Sequence, residues 1–208
     1  LKVSFKKLSD TERIITRLTL NRASPREVQQ LGISLVIGGK IHSEVKKIKS
    51  KNINKLFKDF HDLSEVSHII LNGLQEELPV KLSQGNVVKI GVSSKLDELR
   101  EIKNDATKWL ARYQVNERES TQINNLKIKY NRVFGYFIEI TKSNIDQAPE
   151  HYIRKQTLTN AERYFTPELK EFEDKILNAN DKILELETEL FYELRASILE
   201  FSMLIQDN

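Results

Sequence analysis

The sequence predicts a mainly α protein with an inserted β-rich module, an α+β chain, and three observations carry that expectation. Between Leu126 and Thr141 apolar residues recur at every second position. On either side, over 96–113 and 169–205, they recur at spacings of three and four. Charged residues make up 30% and hydrophobic residues 39% of the 208, a balance that suits an elongated helix-rich protein better than a compact α/β enzyme. In the module, Leu126, Ile128 and Tyr130 alternate with Lys127, Lys129 and Asn131, and a period of two puts the sets on opposite faces of a strand. After the turn Arg132-Val133-Phe134-Gly135, Tyr136, Ile138 and Ile140 face one way and Phe137, Glu139 and Thr141 the other. This reads as a hairpin with one buried face, with Gly135 supplying a positive φ where the chain reverses.

Taken in order, Ser9-Asp10-Thr11-Glu12 has the spacing of a capping box and opens a helix with Ile14, Ile15, Leu18 and Leu20 inward. A second box at Ser24-Pro25-Arg26-Glu27 puts proline at the first helical position, and Val28, Leu31, Leu35 and Val36 continue the stripe until Gly38-Gly39 breaks it. From Ile41 to Leu74 the pattern stays helical through Val45, Ile48, Ile53, Leu56, Phe57, Phe60, Leu63, Val66, Ile69 and Ile70. Interruptions are expected near Asn52-Ile53-Asn54 and at Ser64, and Pro79 ends the region. Gly85-Asn86, between Val80–Leu82 and Val87–Ile90, is compatible with a short hairpin or a loop. Ser94-Lys95-Leu96-Asp97 caps a helix whose stripe is Leu96, Leu99, Ile102, Ala106, Trp109, Leu110 and Tyr113, which makes the single tryptophan a core residue rather than a stacking platform. Thr166 as N-cap and Pro167 at N1 then start the longest helix. Its stripe runs Leu169, Phe172, Ile176, Ala179, Ile183, Leu186, Leu190, Leu194, Ile198, Phe201 and Ile205, about 54 Å of coiled-coil-like helix at ~1.5 Å per residue.

Composition excludes several function classes. There are no cysteines, so neither disulfides nor thiolate metal sites are available. His42, His61, His68 and His151 lack metal-ligand spacing. No Gly-x-x-x-x-Gly-Lys-Ser/Thr phosphate loop, nucleophile elbow or dinucleotide fingerprint occurs, and the acidic pairs Glu76-Glu77 and Glu171/Asp174 read as solvated faces. No apolar run nears the ~20 residues of a membrane helix and no signal pattern opens the chain, so an intracellular, cytoplasmic protein is expected. The opening LKVSFKKLS reads as mid-domain, the expectation for a piece of a longer chain. Charge is polarised: residues 1–60 hold 14 Lys/Arg against 5 Asp/Glu, and residues 166–208 hold 4 against 11, which fits basic helices packing beside an acidic one.

The runs Phe134-Gly135-Tyr136, Arg154-Lys155-Gln156-Thr157, Asn160-Ala161-Glu162-Arg163-Tyr164 and Pro167-Glu168-Leu169, in that order, resemble the clamp domain of the MutS family of DNA mismatch-repair proteins and its re-entry into the lever. Leu96–Arg100 and the neighbourhood of Asn116–Glu119 resemble the helix leading into the clamp, and Arg13–Glu27 is similar to the start of the family's core. The resemblance implies helical core and lever over residues 1–90, the clamp with its lead-in helix over 91–165 (the β-rich part about 120–165), and a lever helix returning to the core over 166–208. It implies long lever helices forming a bundle or coiled-coil arm with a small antiparallel clamp at the tip. It also implies a longer protein that uses ATP and magnesium in an ATPase this stretch does not contain, forms a homodimer, meets MutL-like partners and works at the nucleoid. The family reads mismatches with a Phe-x-Glu; Phe137-Ile138-Glu139 matches that pattern but lies mid-strand and is set aside.

The clamp's task would be to hold duplex DNA by its phosphates, which calls for Lys, Arg and short amides on a rigid scaffold rather than base-reading forks. Lys127, Lys129, Asn131, Arg132, Lys142, Asn144, Arg154, Lys155, Asn160 and Arg163 are the candidates, with Lys127, Lys129, Asn131 and Arg132 foremost. Arg163 has ion-pair alternatives in Glu162 and Glu139, and Asn160 has a turn to cap. Over 120–165 the count is 7 basic to 4 acidic, which predicts weak binding by the module alone. The interleaved aromatics Tyr130, Phe134, Tyr136, Phe137, Tyr152, Tyr164 and Phe165 suit either a core or single-strand stacking, and core is the expected use. The competing reading is a structural coiled-coil arm for protein–protein contact, favoured if these cations scatter over the module.

Overall fold

The computed structural model describes residues 5–48 and 50–208, and the side chain of Leu56, expected in an apolar stripe, lies outside that description. The chain is mainly α with an inserted four-stranded antiparallel sheet. It divides into two compact units, Leu1–Ser94 with Leu184–Asn208, and Lys95–Ile183.

The first unit is helical. Helix α1 (Thr11–Thr19) is capped by Asp10, which accepts from the Arg13 amide at 2.9 Å, one residue later than the Ser9 expected. Ser9 is instead engaged by Ser34 through its own N–H. Helix α2 (Pro25–Val45) has the full capping box at Ser24 and Glu27. It runs straight through Gly38-Gly39, contrary to expectation. A glycine costs a helix only about 1 kcal/mol, and the same helix buries Val28, Leu31, Ile41 and Val45 on either side of the pair. The break expected near Asn52–Asn54 moves, since helix α3 (Lys51–Leu56) contains that stretch, whereas the one expected at Ser64 is found directly before it, where helix α4 (Ser64–Gly73) begins. Helices α2 and α4 approach so closely that a Cβ on Gly32 would come within 2.8 Å of Ile70. Around that contact Ile14, Ile15, Leu18, Val28, Leu31, Val66, Ile70, Leu74 and Val87 form one core. Gly85-Asn86 makes a loop after a single 3-10 turn (Leu82–Gln84), with both residues at positive φ. The buried Glu187 carboxylate accepts from the Asn86 N–H at 2.6 Å.

The second unit carries the sheet. Helix α5 (Ser94–Thr121) leads into β1 (Lys127–Asn131), β2 (Gly135–Thr141), β3 (Ile153–Thr157) and β4 (Ala161–Phe165), in spatial order β1-β2-β4-β3. The expected hairpin is β1–β2, with Ile128 opposite Ile138 and Asn131 opposite Gly135. Tyr113, Ile123, Leu126, Ile138, Ile140, Tyr152, Tyr164 and Leu169 form the core on one face of the sheet. Trp109 is half-buried and packs against this core rather than lying within it, parallel to Tyr113 at 4.7 Å between ring centroids and stacked on Phe172. Ile102 departs from its stripe and is 53% exposed.

Helix α6 (Pro167–Leu199) contributes its first half to the second unit and its remainder to the first. Thr166 accepts from the Leu169 N–H at 3.1 Å, the expected N-cap. The helix stops at Leu199, and Ser202–Asp207 forms a separate turn, α7, so the stripe to Ile205 is not one helix. Beyond Ile183 the buried line is Glu187, Phe191 and Arg195, one residue on from the expected Leu186, Leu190 and Leu194. Steps of four from Ile183 keep one face on the core, and two charged residues fall on it because each finds a partner there. Arg195 donates to the Leu18 carbonyl at 2.9 Å and to the Asn21 side chain.

Candidate nucleic-acid interface

Alternation along β1 and β2 sends Ile128, Ile138 and Ile140 to the core, and so sends Lys127, Lys129, Phe137 and Glu139 to the opposite, outer face. Register extends this across the sheet. Lys127 stands opposite Glu139, Glu139 opposite Arg163, and Arg163 opposite Gln156. A β-bulge between Arg154 and Gln156 breaks alternation in β3, and both Lys155 and Gln156 make their contacts on the outer side. The Lys155 ammonium lies 5.1 Å from the Phe165 ring and donates to the Phe134 carbonyl at 2.5 Å. Gln156 accepts from Arg163 at 2.8 Å.

Four of the ten expected cations and amides therefore share one face: Lys127, Lys129, Lys155 and Arg163. At its centre is Glu139. Lys129 donates to one of its oxygens at 2.6 Å, and the Arg163 guanidinium lies 3.6 Å from the other. The hydrogen bond from Lys129, helped by the two positive charges, holds the Glu139 carboxyl below its ordinary range. Beneath Arg163, whose guanidinium is 4.4 Å from the ring centroid, Phe137 is buried on the outer side of the sheet.

The other candidates lie elsewhere. Asn131 and Arg132 occupy the β1–β2 turn, where Asn131 accepts from the Val133 and Phe134 N–H groups at 3.0 and 2.7 Å and so shapes the turn. Arg132 is exposed. Lys142, Asn144 and Asn160 gather at the opposite end of the sheet. There the Lys142 N–H donates to the Asn160 carbonyl at 3.1 Å, and Asn144 donates to Asn125 at 2.9 Å. Asn160 thus serves the turn through its backbone, and its side chain is exposed. Arg154 is on the core side, 3.5 Å from Glu162. Of the two alternatives for Arg163, Glu139 is the partner.

Several residues that hold the face were not singled out from the sequence. The buried Glu173 of α6 accepts from the Tyr136 N–H and from Lys170, pinning the β1–β2 hairpin to the helix. Gln114 and Arg118 of α5 satisfy the Ile128 N–H and the Leu126 carbonyl at 2.7 Å each, so that this edge of the sheet is partly closed. Tyr152 donates to Glu117, and its hydroxyl is pushed up by burial and by that carboxylate. No sequence spacing links these pairs; they meet only once helix and sheet have packed. Of the seven aromatics, Tyr152 and Tyr164 are in the core and Tyr136 packs against it, Phe137 is buried beneath Arg163 on the outer face, and Tyr130 alone is exposed, at 47%.

Among the described residues no group of three or more His, Asp or Glu side chains is placed to hold a metal ion, and no helix is long and apolar enough to cross a membrane. Comparison with known proteins matches residues 91–182 to MutS family domain IV. The chain is 41% identical over 198 residues to the DNA mismatch repair protein MutS of Protochlamydia amoebophila, covering 95% of this chain and 23% of that protein. It is 42% identical over 204 residues to the MutS of Thermodesulfovibrio yellowstonii, covering 98% and 24%, and 42% over 202 residues to that of Bacteroides fragilis, covering 97% and 23%. The chain thus spans about a quarter of the length of the relatives it matches. The family match is to domain IV, and the 208 residues contain no Gly-x-x-x-x-Gly-Lys-Ser/Thr phosphate loop. Sheet, motif order and identity along nearly the whole length agree: the chain belongs to the MutS family of DNA mismatch-repair proteins.

Proposed function

We propose that the unit Lys95–Ile183 is a clamp that grips the phosphate backbone of duplex DNA without reading its sequence. The observation that carries this reading is the outer face of the sheet, where Lys127, Lys129, Lys155 and Arg163 stand on paired, rigid strands. Arg132 in the β1–β2 turn, and Lys142, Asn144 and Asn160 at the far end, extend the set. Backbone phosphates recur regularly along a duplex, and cations at fixed strand spacing suit them better than flexible forks suit base edges. Arg154 belongs to a structural pair and is the weakest member. With Glu139 neutralising part of the face, the module grips weakly by itself, and a longer MutS-type protein closing around DNA as a homodimer makes the grip tight.

In that longer protein residues 1–90 are core and lever, 91–165 the clamp with its lead-in helix, and 166–208 the returning lever. Helix α6 is a continuous helix about 50 Å long, suited to carrying a shift between DNA and an ATPase elsewhere in the chain. ATP with magnesium, MutL-like partners and a place at the nucleoid belong to that whole protein.

The test is binding of the 208-residue chain to short fluorescent duplexes, matched and mismatched, across a salt series. Weak affinity that falls steeply with salt and ignores the mismatch is expected. Changing Lys127, Lys129 and Arg132 to Ala should lower the salt slope by about 2 to 3, at roughly 0.9 for each phosphate no longer neutralised. No binding at low salt, or binding indifferent to these substitutions, would favour a protein-binding arm instead.

A further inference from the structure

We infer that Glu139 is a built-in stand-in for a DNA phosphate, occupying Lys129 and Arg163 while the clamp is empty and yielding them when duplex arrives. The inference rests on the clamp reading above and concerns how that same face is regulated.

Three features single out this carboxylate. First, its position is central: Lys127 and Arg163 face it from the strands on either side, in register. Second, it holds two cations, one per oxygen, with Lys129 at 2.6 Å and Arg163 Nε at 3.6 Å. Two cations splayed about two oxygens is also how neighbouring Lys and Arg side chains meet a phosphate. Third, the Arg163 contact is loose. Its Nε is buried and has no hydrogen-bond partner, and at 3.6 Å it has a Coulombic attraction without a hydrogen bond. A guanidinium held over Phe137 and anchored by Gln156 keeps its aim while one donor is unspent. Lys127, by contrast, has no ion pair among the described residues and meets an incoming duplex first.

The energetics make exchange feasible. Glu139 and Arg163 are about one-fifth exposed and Lys129 about half exposed. The half-exposed Lys129 is the side of the network open to water and salt, so its share of the pairing is screened; the Arg163 side is more buried but makes no hydrogen bond to the carboxylate. A duplex phosphate brings the release of condensed counterions, which the fixed carboxylate does not, so the cations can transfer without a large penalty. The carboxylate left behind then faces DNA without its partners, and that repulsion sets a ceiling on affinity. A clamp restrained in this way would let go readily, which a sequence-blind grip on a long polymer requires.

The experiment compares wild type, Glu139→Gln and the double variant Glu139→Gln with Lys129→Gln in duplex binding across a salt series, with thermal melts to establish that each is folded. Glutamine is nearly isosteric and cannot hold an ammonium as an ion pair. Glu139→Gln should bind about threefold tighter or more at low salt, with a slope steeper by about 1 to 2, and the double variant should fall back toward wild type. An unchanged or weaker Glu139→Gln, in a protein whose wild type binds duplex in a salt-dependent way, overturns this inference and leaves the clamp reading standing. No binding by any of the three at the lowest salt overturns both.

Discussion

Gly135 is the residue whose substitution has the clearest consequence. Its φ is +70°, and a Cβ there would collide with the carboxylate of Glu173, which is committed to the Tyr136 N–H and to Lys170. Gly135→Ala therefore combines left-handed strain, about 1 kcal/mol or more, with displacement of a buried carboxylate. The expected loss in chemical denaturation is about 2–4 kcal/mol for the unit that holds the sheet; unchanged stability would contradict the contact. Glu139 gives a second prediction, in pH. Its carboxyl is held below the ordinary range, chiefly by the Lys129 hydrogen bond. A depressed carboxyl contributes stability above its unfolded pKa of about 4.3 and loses it as pH falls through the folded value. Melting temperatures of wild type and Glu139→Gln should differ near neutrality and converge as pH drops below about 4. Parallel curves over pH 7 to 3 would mean the pair does not stabilise the fold. The alternation that puts Glu139 beside the lysines is visible in the sequence. Its pairing with Arg163 is only one of two alternatives in the sequence, and choosing it over Glu162 needs the register of β2 against β4 across 23 residues of intervening chain.

At the scale of elements, patterns of period two and three-to-four located the long helices and the first hairpin among the described residues, and the departures have common causes. Helix α2 persists through Gly38-Gly39 because tertiary packing outweighs a local propensity of about 1 kcal/mol per glycine. A Cβ on Gly39 would meet nothing within 4 Å. Gly39→Ala should therefore stabilise the first unit by about 0.5–1 kcal/mol, read as a rise in the denaturation midpoint. A fall would mean that the glycine serves a partner surface. The hairpin β3–β4 was harder to foresee because its outer strand is polar and bulged, so that Arg154, Lys155 and Gln156 do not alternate. The drift of the α6 stripe onto Glu187 and Arg195 was hidden for a related reason. Apolarity marks buried positions only where no buried hydrogen-bond partner exists, and here the Asn86 N–H and the Leu18 carbonyl supply partners.

For the molecule as a whole, the salt-series experiment measures the property that matters, since affinity for duplex depends on the summed field of the face rather than on any one contact. Much about this protein was set by its sequence alone: a mainly α chain, a sheet inserted between helices, the absence of a phosphate loop, and motif runs in the order of the MutS clamp. Those are consequences of local periodicity and of short contiguous motifs, which a linear string carries in full. The tertiary structure decided which cations stand together. It put Lys127, Lys129, Lys155 and Arg163 on one face, sent Arg154 to Glu162 on the other, and set Glu139 among the first group. Cross-strand register and a one-residue bulge make that choice. A shift of one residue reverses every side chain it touches, so the composition of the face is fixed only when all four strands have paired.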